Sequence, residues 1–108
     1  MGMTVKYAGP AEPTRAEIDA TKGPLLLEFG TDWCGFCQAA QPLIGQAFAG
    51  HEAVPHRKVE DGKGRPLGRS FGVKLWPTLV FLKDGVEIAR LVRPQSEAQI
   101  REGFDKIA

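Results

Sequence analysis

The chain predicts an α/β domain, a central mixed β-sheet of four to five strands with helices on both faces. Three observations carry this. Short apolar runs alternate with helical stretches in the order βαβαβαββα. The run Leu25-Leu26-Leu27-Glu28-Phe29 is apolar on both faces except at Glu28, the pattern of a covered central strand. Thr14-Arg15-Ala16-Glu17 and Ser96-Glu97-Ala98-Gln99 both have the form of a capping box, which marks the start of a helix.

The elements follow in order. Met3 to Ala8 reads as a first strand, with Val5 and Tyr7 on one face and Gly9-Pro10 ending it. A short helix starts at Thr14, and Gly23-Pro24 stops it and leads into the Leu25–Phe29 strand. Beyond Cys37, residues Ala40, Leu43, Ile44, Ala47 and Phe48 fall at i, i+3, i+4, i+7 and i+8, one helical stripe. Pro42 is expected to kink that helix and Gly50 to end it. Pro55 to Val59 is a strand, Asp61-Gly62-Lys63-Gly64 a loop, and Arg65 to Phe71 a short helix. Thr78 to Leu82 and Val86 to Val92 form a hairpin through Lys83-Asp84-Gly85. The last helix puts Ile100, Phe104 and Ile107 on one face.

At 108 residues the chain is expected to be one domain, residues 1–108, with room for a real core. Its net charge of +1 gives no case for a nucleic-acid or membrane surface. No aliphatic run is long enough to span a bilayer. Met1 to Lys6 lacks the apolar stretch of a signal peptide, so a cytoplasmic protein is the expectation; a chain trimmed of its leader would read the same way. Nothing in the sequence demands more than a monomer.

The chemistry concentrates at Asp32-Trp33-Cys34-Gly35-Phe36-Cys37, which holds both cysteines of the chain. They sit where a strand hands over to a helix. In that context C-x-x-C reads as a redox motif, because the sulfurs can reach each other and the helix start stabilises a thiolate. A bridge closing so small a loop would add little stability by chain entropy, so the pair is better explained by chemistry. Glu28 is the anomaly of its strand. Either it snorkels or pairs with a lysine such as Lys58, or it is a proton donor and acceptor near the cysteines. Position alone does not decide between these; the adjacent motif favours the second.

Zinc is the rival reading, since Cys34-x2-Cys37-x13-His51-x4-His56 fits the loose spacing of a Cys2His2 site. The intervening amphipathic helix would carry His51 away from the cysteines, and Pro55 keeps the two histidines off one helical face. His51 and His56 are instead expected in loops or on the surface.

The sequence resembles the thioredoxin superfamily over nearly its whole length. The matching pieces are Leu27-Glu28-Phe29, Trp33-Cys34-Gly35-Phe36-Cys37, Pro42, Phe71-Gly72-Val73, Pro77-Thr78-Leu79 and Phe81-Leu82-Lys83-Asp84-Gly85. The resemblance implies a thioredoxin-like fold and a thiol–disulfide oxidoreductase that reduces protein disulfides, with isomerase or oxidase as the alternative direction; a non-catalytic binding module of the same fold is a further alternative, against which the retained cysteines and acid argue. Cys34 matches the family's attacking cysteine and Cys37 its resolving partner. Glu28 falls where the family usually has a buried Asp, and Pro77 matches its cis-proline. Trp33, Gly35, Phe36, Trp76, Pro77 and Arg93 are implied to line the substrate face. An extended target would pair with the Trp76 backbone as an added strand. Lys74 and Arg93 would add positive charge that favours acidic partners. The implied partners are disulfide-containing proteins and a reductant, either a thioredoxin reductase or a glutathione system. No metal or organic cofactor is implied beyond the Cys34–Cys37 disulfide. Four positions depart from thioredoxin itself, and all four are expected to line the substrate face: Phe36 replaces a proline, Gly30 a tryptophan, Trp76 a small aliphatic residue, and Arg93-Pro94 a turn with glycine.

Overall fold

Thr14 opens the first helix of the structure, a computed structural model that describes residues 12–108. Its hydroxyl accepts from the Glu17 N–H, and the Glu17 carboxylate accepts from the Thr14 N–H, completing the expected box ahead of α1 (Arg15–Asp19). The strand expected at Met3 to Ala8 lies outside the described residues. The remaining elements are β1 (Pro24–Gly30), α2 (Gly35–Ala47), β2 (His56–Glu60), α3 (Pro66–Ser70), β3 (Thr78–Lys83), β4 (Val86–Val92) and α4 (Glu97–Ile107).

The described strands form one sheet in the order β2-β1-β3-β4. β1 runs parallel to β2 and antiparallel to β3, and β4 returns antiparallel beside β3. The parallel pair needs a crossover, which α2 supplies. The β3–β4 hairpin turns tightly at Asp84 (φ 52°) and Gly85 (φ 79°), both left-handed, as a primed two-residue turn requires.

Alternation along the strands divides the core. Leu26, Leu79 and Phe81 face α2 and α4, where Ala40, Ile44, Ala47, Ile100, Phe104 and Ile107 meet them. Leu25, Leu27, Phe29, Val80 and Leu82 face α1 and α3, through Ile18 and Leu67. The stripe read from the sequence is thus the buried face of α2, with Leu43 at its margin. α2 runs through Pro42 without ending. The Phe104 ring meets Phe48 at 4.8 Å and Phe81 at 5.5 Å between centroids. This close approach depends on Gly103, where an added Cβ would lie 2.5 Å from the Phe81 ring.

The second box forms only in half. The Ser96 hydroxyl accepts from the Gln99 N–H, but the Gln99 side chain accepts from Gln95 N at 2.8 Å rather than from Ser96 N.

β1 is the expected central strand, buried from Leu25 to Gly30. It delivers Glu28 to the interior and ends one short turn before Cys34. This is what positions the site.

Candidate active site

Cys34 is the N-cap of α2, with extended backbone (φ −79°, ψ 122°). A helix N-terminus leaves its first N–H groups without partners in the helix. The Cys37 N–H uses this by donating to Cys34 Sγ at 3.2 Å. A helix N-terminus is in general a favourable place for negative charge. Both cysteines are free thiols. Cys34 keeps 8% of its surface exposed and Cys37 only 1%, so one sulfur faces the mouth and the other lies behind it. Gly35 is exposed between them and Phe36 is 59% exposed.

Trp76 packs against the cysteine pair. Its peptide bond to Pro77 is cis. Its indole Nε1 donates to Asp61 Oδ2 at 2.9 Å. Asp61 is itself tied to the end of β1, its N–H donating to the Gly30 carbonyl at 3.0 Å. Trp33 is 75% exposed and meets Trp76 edge-on, with centroids 5.8 Å apart. Phe36 is covered from the other side by Arg93, whose guanidinium lies 3.8 Å from the ring centroid. Arg93 Nε also donates to the Trp76 carbonyl at 2.8 Å. Of the residues expected on the substrate face, Trp33, Phe36, Trp76 and Arg93 come together, whereas Gly30 is buried at the end of β1, where it pairs with Glu60. Arg93, though, is engaged with that face rather than held out to solvent.

Beneath Cys37 lies a buried polar network. Glu28 Oε1 is 2.9 Å from His56 Nε2, and both side chains are fully buried. Glu28 Oε2 accepts from Gln41 Nε2 at 2.9 Å, and the same Nε2 donates to the Cys37 carbonyl at 2.8 Å. Lys58 Nζ donates to Gln41 Oε1 at 2.9 Å. Burying a carboxylate without partners would be prohibitive, and this network is what makes Glu28 tolerable.

His56 corrects an expectation. It is buried, not a loop or surface residue, because β2 pairs in register with β1 as Leu26↔His56 and Glu28↔Lys58. That register puts His56 and Lys58 on the side of β2 that faces α2. His51 is half-buried, stacked on Phe104 at 5.0 Å and 3.6 Å from Asp105. Each histidine of the zinc reading is thus drawn to partners of its own. Among the described residues no three His, Cys, Asp or Glu side chains form a metal-holding group.

Gln41 and Asp61 were not singled out from the sequence. Gln41 sits at i+4 from Cys37, one turn along the same helical face, and that spacing is a usable signal. Nothing local marks Asp61, which reaches Trp76 only through the fold.

The thioredoxin family model matches residues 11–106. The chain belongs to the thioredoxin family. Thioredoxin from Haemophilus influenzae is 32% identical over 80 residues, covering 71% of this chain and 73% of that protein. The structure of thioredoxin 2 from Pseudomonas aeruginosa in its reduced form is 56% identical, covers 97% of this chain and 96% of its own, and superposes with a TM-score of 0.86. A thioredoxin from Nicotiana alata, 24% identical with a TM-score of 0.71, shows the same fold. The domain is therefore a thioredoxin fold and a protein-disulfide oxidoreductase, with two close cysteines as its dithiol. Among the described residues no helix is long and apolar enough to cross a membrane.

Proposed function

We propose that this thioredoxin-family protein reduces protein disulfides by a cycle in which Cys34 attacks and Cys37 resolves. The observation that carries this is Cys34 Sγ at the head of α2, accepting from the Cys37 N–H at 3.2 Å. A thiolate is the attacking species in disulfide exchange. The Cys34 thiolate attacks one sulfur of the target and forms a mixed disulfide. The displaced target sulfur takes a proton from solvent. Glu28, directly or through water, accepts the proton of the Cys37 thiol. The Cys37 sulfur then attacks Cys34 Sγ, and the second target sulfur leaves and is protonated. The target gains two electrons and two protons, and the chain is left with a Cys34–Cys37 disulfide.

Gln41 supports the Glu28 role, since its amide links the carboxylate to the Cys37 carbonyl. Trp33, Phe36 and Trp76 give the target an apolar rim around the mouth. The main chain at Trp76 and Pro77 pairs with an extended target. Arg93 holds the Trp76 carbonyl at 2.8 Å and has to share it or yield it to that target. The resting protein is a cytoplasmic monomer, and either a thioredoxin reductase or a glutathione system reopens its disulfide. No cofactor besides the disulfide enters the cycle.

A redox titration of the cysteine pair against glutathione, run beside dithiol-dependent insulin reduction, tests activity and direction together. We expect insulin reduction that Cys34→Ser abolishes, while Cys37→Ser accumulates a mixed disulfide. A potential well above the cytosolic glutathione poise, about −220 to −260 mV, would overturn the reductive direction. Insulin cleavage surviving Cys34→Ser would overturn the cycle.

A further inference from the structure

Trp76 has two sides. One packs on the cysteine pair, and the other closes the end of a surface groove of about 530 Å³ between α3 and the loop that precedes Pro77. Its lining carries four cations, Lys63, Arg65, Arg69 and Lys74, over a floor of Val73 and Trp76. The single carboxylate in the wall, Asp61, is committed to the Trp76 indole. Arg65 is paired with Glu60 at 2.8 Å. Lys63, Arg69 and Lys74 are exposed and have no ion-pair partner among the described residues. The whole chain carries a net charge of only +1, so this excess is a local segregation of charge, placed one side chain from the dithiol.

We propose that this groove binds an acidic segment of the target protein, a run of Asp and Glu close in sequence to the disulfide being reduced. The inference rests on the disulfide-reductase reading and names the substrate class of that site. Carboxylates of the bound segment meet Lys63, Arg69 and Lys74, while its apolar parts lie on Val73 and Trp76. The target disulfide then reaches Cys34 across the Trp76 ring. Steering by opposite charge raises the rate of productive encounter and selects against basic targets.

The test uses two disulfide peptides identical except that three Glu flanking one cysteine are Gln in the second. Exposed ion pairs are each worth about 1.4- to 5-fold in affinity, so three engaged pairs give a preference of roughly threefold or more. We expect kcat/KM to favour the acidic peptide by at least that factor at low salt, and the preference to shrink by 0.5 M NaCl on the order of Debye screening. The double variant Lys63→Gln/Arg69→Gln, checked for folding by circular dichroism, is expected to lose most of the preference. Equal kcat/KM for both peptides in the wild-type protein overturns the groove proposal alone. Failure to reduce either peptide overturns the reductase reading instead. Inhibition by millimolar inorganic phosphate without any peptide preference would mark a small-anion site and also overturn the proposal.

Discussion

Glu28→Leu removes the carboxylate that joins His56 to Gln41, and its effect can be worked from the network. Two hydrogen bonds of 2.9 Å are lost, both from fully or partly buried partners. Gln41 keeps its bonds to the Cys37 carbonyl and to Lys58, so the penalty falls on the buried His56 edge, at about 1–3 kcal/mol for a buried polar group that loses its partner. Breaking a buried ionisable pair by deleting one member costs about 3–5 kcal/mol, so the two routes meet at about 3–4 kcal/mol. A domain of this size holds only about 5–15 kcal/mol in total. With a urea m-value of about 1.5 kcal/mol/M, the midpoint should fall by roughly 2–3 M. Glu28→Gln keeps the volume and most of the hydrogen bonding, so its midpoint should move by well under 1 M. The Gln variant cannot accept the Cys37 proton, and release of the mixed disulfide should slow by about 10²–10⁴-fold. Stopped-flow measurement of that release, beside the urea titration, checks both halves. A Leu variant as stable as the wild-type protein would refute the network argument. A Gln variant with unchanged release would refute the proton role while leaving the structural one intact.

Three further outcomes are expected. Arg93→Gly frees the Trp76 carbonyl and removes a left-handed non-glycine residue (φ 51°); one hydrogen bond's worth, about 0.5–1.5 kcal/mol, should appear as a two- to tenfold rise in kcat/KM on an extended peptide disulfide. A fall would instead mark the guanidinium as a direct contact to the target. Gly68→Ala drives a methyl into the Asp61 carboxylate, which must release the Trp76 indole; a loss of about 1–3 kcal/mol in the urea midpoint and a shifted Trp76 indole N–H resonance are the readouts. Thr14→Ala should lower stability by about 1 kcal/mol. Bonds from the Thr14 N–H and hydroxyl hold the Glu17 carboxyl below its usual range, so its contribution is present above that range and lost as pH falls through the folded value. Thr14→Ala removes the hydroxyl and keeps the backbone N–H, the larger cause, so the acid side of the melting profile should flatten only in part, as differential scanning calorimetry from pH 7 to pH 3 would show.

The legible parts of the molecule were those governed by neighbours in the chain. The stripe from Ala40 to Phe48 encodes the buried face of α2 because helical period alone decides it. The box at Thr14 closes within three residues, and Asp84-Gly85 needs nothing beyond its own backbone to turn. The handover from β1 to α2 at Cys34 is equally local. What escaped depends on register. His56 looks like a polar residue near a proline until β2 aligns with β1 and turns it inward toward Glu28. Lys58 donates to Gln41 and Gln41 to Glu28, a bridge visible only once α2 lies across the sheet. Asp61 and Trp76 lie 15 positions apart in the chain, a separation over which composition carries no signal. The box at Ser96 forms only in half, since the Gln99 side chain accepts from the Gln95 N–H one residue before the cap.

Trp33 and Trp76 are the only tryptophans in the chain, and both stand at the dithiol. Tryptophan emission, excited selectively over Tyr7, is therefore a report from one corner of the protein, with the phenylalanine core spectrally silent. A denaturation curve followed by that emission describes the loosening of the mouth, whereas ellipticity follows the sheet. Coincidence of the two curves would mean that the corner melts with the whole domain, and an earlier optical transition would mean that it opens first.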